Sequence, residues 1–169
     1  MLSDITVLRP HIILKQQGFS IIEMLVTLVV LSILASVAIP FVELGAKRAQ
    51  EMELRRALRT LRTAIDRFHA DCESGEIAKG QMGVSIDSYP DSLQVLLDGV
   101  DSSAADDQRF WYLRRIPRDP FSEETSVDDH WEVRGYRDEL EGVWSGNDVF
   151  DIKVRHDKQA INGSDYSDW

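Results

Sequence analysis

Between Met24 and Val42 the chain carries no charged residue, and Thr27, Ser32 and Ser36 are the polar side chains in that run. Nineteen residues in helical form span roughly 28 Å at about 1.5 Å each. That is close to the ~30 Å hydrocarbon core of a bilayer. No soluble fold hides such a stretch easily, so it predicts a membrane-crossing helix and divides the rest of the chain into a part before it and a part after it. One carboxylate, Glu23, stands at its front edge.

Residues 1–18 carry Asp4, Arg9 and Lys15 in a mixed, weakly apolar stretch. A secretory signal places its apolar run before a small-residue cleavage site; here the apolar run comes after Gly18. Two readings stand on this pattern. A peptidase cuts between Gly18 and Phe19 and leaves the hydrophobic segment in the mature protein, or the segment is an uncut anchor. Glu23 bears on the choice, because a carboxylate in the hydrocarbon costs roughly 2.5–3.5 kcal/mol on insertion scales and a plain anchor has no use for it; near the helix start its side chain can also reach the interface, which leaves a harmless interfacial Glu as the other reading. After a cut, the new amino group of Phe19 lies one helical turn from Glu23, where the two charges can pair within one chain or between neighbours.

The stretch GFSIIEMLVTLVVLSILASVAIP resembles the N-terminal signature of type IV pilins and type II secretion pseudopilins. It has Gly18 before the cut, Phe19 after it, Glu23 at the fifth mature position, an apolar run, and Pro40 near its end. The resemblance implies cleavage by a prepilin peptidase, N-methylation of Phe19, a role for Glu23 in subunit register, and a helix that leaves the membrane for a filament core. It implies an α+β pilin-like fold, in which a long N-terminal helix packs on a small antiparallel β-sheet head. The implied division is a leader at 1–18, a transmembrane half at 19–42, an amphipathic half at 43–70 and a globular head at 71–169.

Pro40 is expected to break or kink the helix by removing one hydrogen bond and clashing one turn back, a distortion tolerated in a membrane where neighbours cover the freed carbonyl. Beyond it Leu54, Ala57, Leu58, Leu61, Ala64, Ile65 and Phe68 recur at the spacing of one helix face. The other face carries Arg55, Arg56, Arg59, Arg62 and Asp66, with Glu51/Arg55 and Arg62/Asp66 spaced for i, i+4 pairing. A helix over about 19–70 is expected, its arginines read as a solvated surface or as a row meeting the acidic head of the next subunit.

Residues 71–90 are rich in Gly, Ser and charge and are expected to form a connection. A short helix comes next, with Asp91 or Ser92 as N-cap, Leu93, Leu96 and Leu97 on its apolar side and Gly99 as its stop. Residues 100–108 read as an acidic loop. The block RFWYLRRIPRDPF (109–121) resembles the YLRRIPxDP block of the G-type pseudopilin group; its aromatics are expected beneath the head and Pro117 and Pro120 to set an extended path. Arg114 and Arg115 have a second reading, facing a neighbouring subunit. Strands are expected at 130–136, weakly about Gly142–Trp144, and at 148–154, giving an antiparallel sheet. The tail RHDKQAINGSDYSDW resembles the ending of the same group, with Tyr166 and Trp169 as anchors and Asn162 where an Asp is common. Asp157, Ser164, Asp165 and Asp168 place oxygens about a glycine turn, and the resemblance makes Ca²⁺, which takes six to eight oxygen ligands, a candidate there; no EF-hand spacing is present.

Charge narrows the partners. Residues 19–68 hold seven Lys/Arg against five Asp/Glu, whereas 69–169 hold ten against twenty-three. Such an acidic head speaks against nucleic acid, whose phosphates need clustered bases. Cys72 is the only cysteine, which excludes an intrachain disulfide and a cysteine-rich metal cluster. His11, His69, His130 and His156 fall in no HExxH pattern, and neither GxSxG nor a phosphate-binding glycine loop is present. A structural, non-enzymatic role is therefore expected: a type II secretion pseudopilin, single-pass in the inner membrane with a periplasmic head. Its expected partners are copies of itself, other pseudopilins, a prepilin peptidase and an inner-membrane assembly platform. The alternatives are a pilus or DNA-uptake subunit and an anchored binding domain that does not polymerise.

Overall fold

The computed structural model describes residues 18–104, 108–140 and 142–169; the leader up to residue 17 lies outside the described residues. The chain divides into two compact units, Met1–Val42 and Glu43–Trp169. Helix α1 (Ile21–Ser74) runs through the boundary between them, with Pro40 inside it. The helix continues past that proline rather than ending at it. Proline removes one backbone donor, and what it removes here is the bond that the Ser36 carbonyl would accept.

In the second unit the expected apolar stripe is the core. Leu54, Ala57, Leu58, Leu61, Ala64, Ile65 and Phe68 are all buried, and Cys72 continues the same line one turn further. The helix accordingly ends at Ser74, four residues beyond the expected limit. Against this stripe the head lays small elements. Helix α2 (Leu93–Asp98) buries Leu93 and Leu96 and comes after Ser92, whose side chain makes no capping hydrogen bond. Gly99 stops it at φ +78°, and a Cβ there would stand 2.6 Å from the Phe110 carbonyl oxygen, so the position requires glycine.

Two antiparallel ladders complete the head. Strands β1 (Val100–Asp101) and β2 (Arg109–Phe110) pair in a stretch expected to be loop. Strands β3 (Trp131–Arg134) and β4 (Asp151–Val154) pair in the register Trp131–Val154 through Arg134–Asp151. The weak strand about Gly142–Trp144 does not form. Asp138 draws the backbone N–H and hydroxyl of Ser145 onto its carboxylate, turning the chain, and Gly142 and Gly146 adopt positive φ. Trp144 instead stacks against β4, with Lys153 Nζ 4.0 Å from its ring centre. The fold is α+β, a long N-terminal helix with small antiparallel ladders.

The i, i+4 ion pairs expected along α1 are replaced by long-range ones. Glu51 Oε1 accepts from Ile161 N (2.7 Å) and from Tyr166 Oη (3.1 Å). Arg55 lies 4.0 Å over the Trp169 ring. Arg62 donates to Asp151 Oδ1 at 2.8 Å, to Ile152 O at 3.1 Å and to Trp169 O at 2.5 Å. A carboxylate or guanidinium that satisfies distant backbone gains more than a solvated pair on the helix surface. Leu61→Ala should lower stability by about 2–5 kcal/mol, read as a fall in the denaturation midpoint at unchanged slope.

Candidate functional site

Every residue from Gly18 to Ala46 is exposed. Phe19 is 74% exposed, and no atom comes within 4 Å of a Cβ built on Gly18. The first unit thus presents a bare backbone step, Gly18–Phe19, immediately before the helix. A peptidase needs that access, and glycine on one side of the bond leaves its approach clear.

Glu23 lies in the first turn of α1 and is exposed. Carboxylates are favoured there by the unpaired N–H groups and dipole of a helix start. Ser20 and Glu23 have the capping-box spacing, and the Ser20 carbonyl accepts from Met24 N at 3.1 Å. Behind Glu23 the surface is apolar on all sides, and α1 is the one helix among the described residues long and apolar enough to cross a membrane. Its few polar side chains are turned inward onto the helix itself. Thr27 Oγ1 donates to Met24 O, Ser32 Oγ to Leu28 O, and Ser36 Oγ to Ser32 O, at 2.9, 2.8 and 2.9 Å. None of these three side chains is then left wanting water, while the Ser36 carbonyl that Pro40 deprives of its donor is; the rest of the surface suits lipid or a neighbouring helix equally.

Residues 13–39 match the family model described as the prokaryotic N-terminal methylation motif. The match covers the N-terminal segment alone, which is thereby similar to a type IV pilin-like prepilin leader with its adjoining helix. No curated protein and no solved structure matches the chain. Gly18, Phe19 and Glu23 fall within that motif, and Pro40 stands one residue past its end.

The tail residues named for Ca²⁺ lie about the turn at Gly163, which has φ +85°. Asp157 and Asp168 are exposed, while Ser164 and Asp165 are half-buried. Ser164 Oγ accepts from Trp169 Nε1 at 3.0 Å and donates to Asn162 Oδ1 at 2.9 Å. Among the described residues no three His, Cys, Asp or Glu side chains are grouped to hold a metal. The expected anchors do anchor: Tyr166 is buried, its ring stacks on Phe121 at 4.6 Å and meets Trp169 edge-on at 4.9 Å. Burial, then the bond to Glu51, pushes the Tyr166 hydroxyl up to about 12, so it stays a proton donor to that carboxylate.

Several residues that shape the head have no local sequence signal, because their partners are far along the chain. Glu51 and Arg62 hold the tail across separations of 89 to 115 residues. Asp119 is buried with its Oδ2 2.9 Å from His156 Nε2, and neither atom has another partner among the described residues. Its Oδ1 accepts from Phe121 N, while its own N–H donates to His130 Nδ1. The proline block therefore turns around a carboxylate as well as around its prolines.

Cys72 is 1% exposed, and burial, reinforced by Asp71, pushes its thiol up to about 11. At pH 8 only about one thiol in a thousand is then thiolate, the reactive form. Maleimide labelling of the native protein at pH 8 should be at least about a hundredfold slower than after unfolding, tracked by intact-mass spectrometry.

Proposed function

We propose that the chain is a structural pseudopilin of a type II secretion system. It is made as a prepilin, cut between Gly18 and Phe19 by a prepilin peptidase, and N-methylated on Phe19. Residues 19–42 hold it in the inner membrane, with the head in the periplasm. An inner-membrane assembly platform then moves it, with copies of itself and other pseudopilins, into a pseudopilus that drives export.

The carrying observation is the uniformly exposed, internally satisfied apolar surface of α1 behind Glu23, within the methylation motif. Such a surface dissolves in lipid as a monomer and packs against identical helices in a filament. In either setting Glu23 needs a positive partner, since an unpaired carboxylate is costly away from water. The amino group created at Phe19 is four residues away, one helical turn, and remains charged after methylation. A pairing between neighbours fixes how far one helix slides along the next. The YLRRIPRDPF block and the Tyr166/Trp169 ending support secretion over a pilus.

Mass spectrometry of the membrane-extracted protein should show residues 1–18 absent and N-methyl-Phe19; an intact Met1 would overturn the reading. Glu23→Ala should be cut normally yet yield at least about tenfold less filament by sedimentation and cross-linking. Filaments of normal yield from that variant would remove the register role.

A further inference from the structure

A groove of about 1100 Å³ runs between α1 and the segment Tyr112–Arg118. A second, of about 280 Å³, shares Arg56, Thr60, Tyr112 and Leu113 with it and extends it along the helix. Arg56, Arg59, Arg67, Arg114, Arg115 and Arg118 line the pair, all exposed, against one acidic side chain, Glu53. Among the described residues none of the six has a carboxylate within 4.0 Å. By contrast Arg62, Arg109, Arg134, Arg137 and Arg155, elsewhere in the unit, each have one.

The outer wall is fixed before anything binds. Leu96 O accepts from both Tyr112 N and Leu113 N at 3.1 and 2.9 Å. Tyr112 Oη donates to Asp71 at 2.5 Å, and Trp131 Nε1 holds Pro117 O at 3.0 Å. Guanidinium groups on a preset frame bind carboxylates in paired, directional hydrogen bonds at reduced ordering cost.

The same unit carries the complement elsewhere. Ser103 N donates to Glu76 O at 2.8 Å, bringing the β1 end beyond the last turn of α1. Glu76, Asp98 and Asp101 are exposed there, three carboxylates against one guanidinium, that of Arg109, 3.7 Å from Asp101. We propose that the arginine-lined groove receives this acidic corner from a second copy of the chain. Groove and corner are different patches, one along the middle of α1 and one past its end, so the contact is heterologous and repeats head to tail. It rests on the reading of the chain as a self-assembling subunit and names a second contact besides the apolar helix.

The test uses the full chain in detergent micelles, with self-association measured by sedimentation and cross-linking. Arg114→Glu/Arg115→Glu and Asp98→Arg/Asp101→Arg should each weaken association at least about tenfold, and their combination should restore it to within about threefold. Association of the parent should also weaken in about 0.5 M salt. Melting curves identify any variant that fails to fold; Arg56→Gln/Arg59→Gln, which changes exposed positions only, then replaces it and should weaken association in the same direction. A combination no stronger than its parts overturns the proposal. So does an arginine variant that self-associates like the parent, including one that loses binding to anionic vesicles or nucleic acid instead. An uncut leader would sink the proposed secretion role while leaving this charge swap intact.

Discussion

The ladders of the head contain two and four residue pairs, and an isolated two-stranded pair is marginal in water. What makes the second unit a folded body is the line Leu54 to Cys72 on α1, eight buried side chains on a single face. Trp131, Val149, Ile152, Val154 and Tyr166 are buried in the same cluster. Hydrophobic burial gives roughly 25 cal/mol per Å², and here the head's buried side chains form one cluster with those of the helix. The head is better described as a coat on α1 than as a sheet domain with a helix beside it.

That dependence explains how the polar residues of α1 are used. At about 100° per residue, Glu51, Arg55 and Arg62 fall together on one flank of the buried line. They hold the tail through Ile161, Tyr166, Asp151 and Trp169. Glu53, Arg56 and Thr60 fall on the other flank, beside the segment Tyr112–Arg118. The head therefore grips the helix from both sides of the core, by ion pairs and cation–π contact on one and by a strap with open arginines on the other. The flanks are not equivalent: among the described residues the first bonds carboxylates and backbone carbonyls of the head, whereas the arginines of the second have no carboxylate within 4.0 Å.

Where period and composition decide the outcome, the sequence reads correctly. The apolar run, the stripe from Leu54 to Phe68, the α2 stop at Gly99 and the Tyr166 anchor all come from spacing or from one residue's conformational range. Three expectations depended on what lay across the fold and came out otherwise. The i, i+4 pairs on α1 gave way to tail contacts, since bonding distant backbone outweighs a solvated ion pair. The Gly142–Trp144 strand gave way to a turn closed by Asp138, and the 100–108 loop contains half of a ladder too short to show alternation. In the tail, Ser164 is engaged by Trp169 and Asn162, five and two residues away. In the N-terminal segment no distant partner overrides the local pattern among the described residues, which is why its candidate residues were legible.

The two halves of α1 solve opposite problems with one backbone. Up to Ala46 its side chains are exposed and internally satisfied, so association with lipid or with other helices is favourable and carries little directional information. Apolar contact alone lets identical helices slide past one another. Register has to come from something directional, and two such features are present: the Glu23 carboxylate at the helix start and the unpaired arginines between Arg56 and Arg67. Charge pairs discriminate more than they bind, since a mismatched one leaves an unpaired ion. In the proposed filament, a subunit whose adhesive surface is non-directional needs charged marks along its length, and the candidates among the described residues are spaced over more than thirty residues of α1.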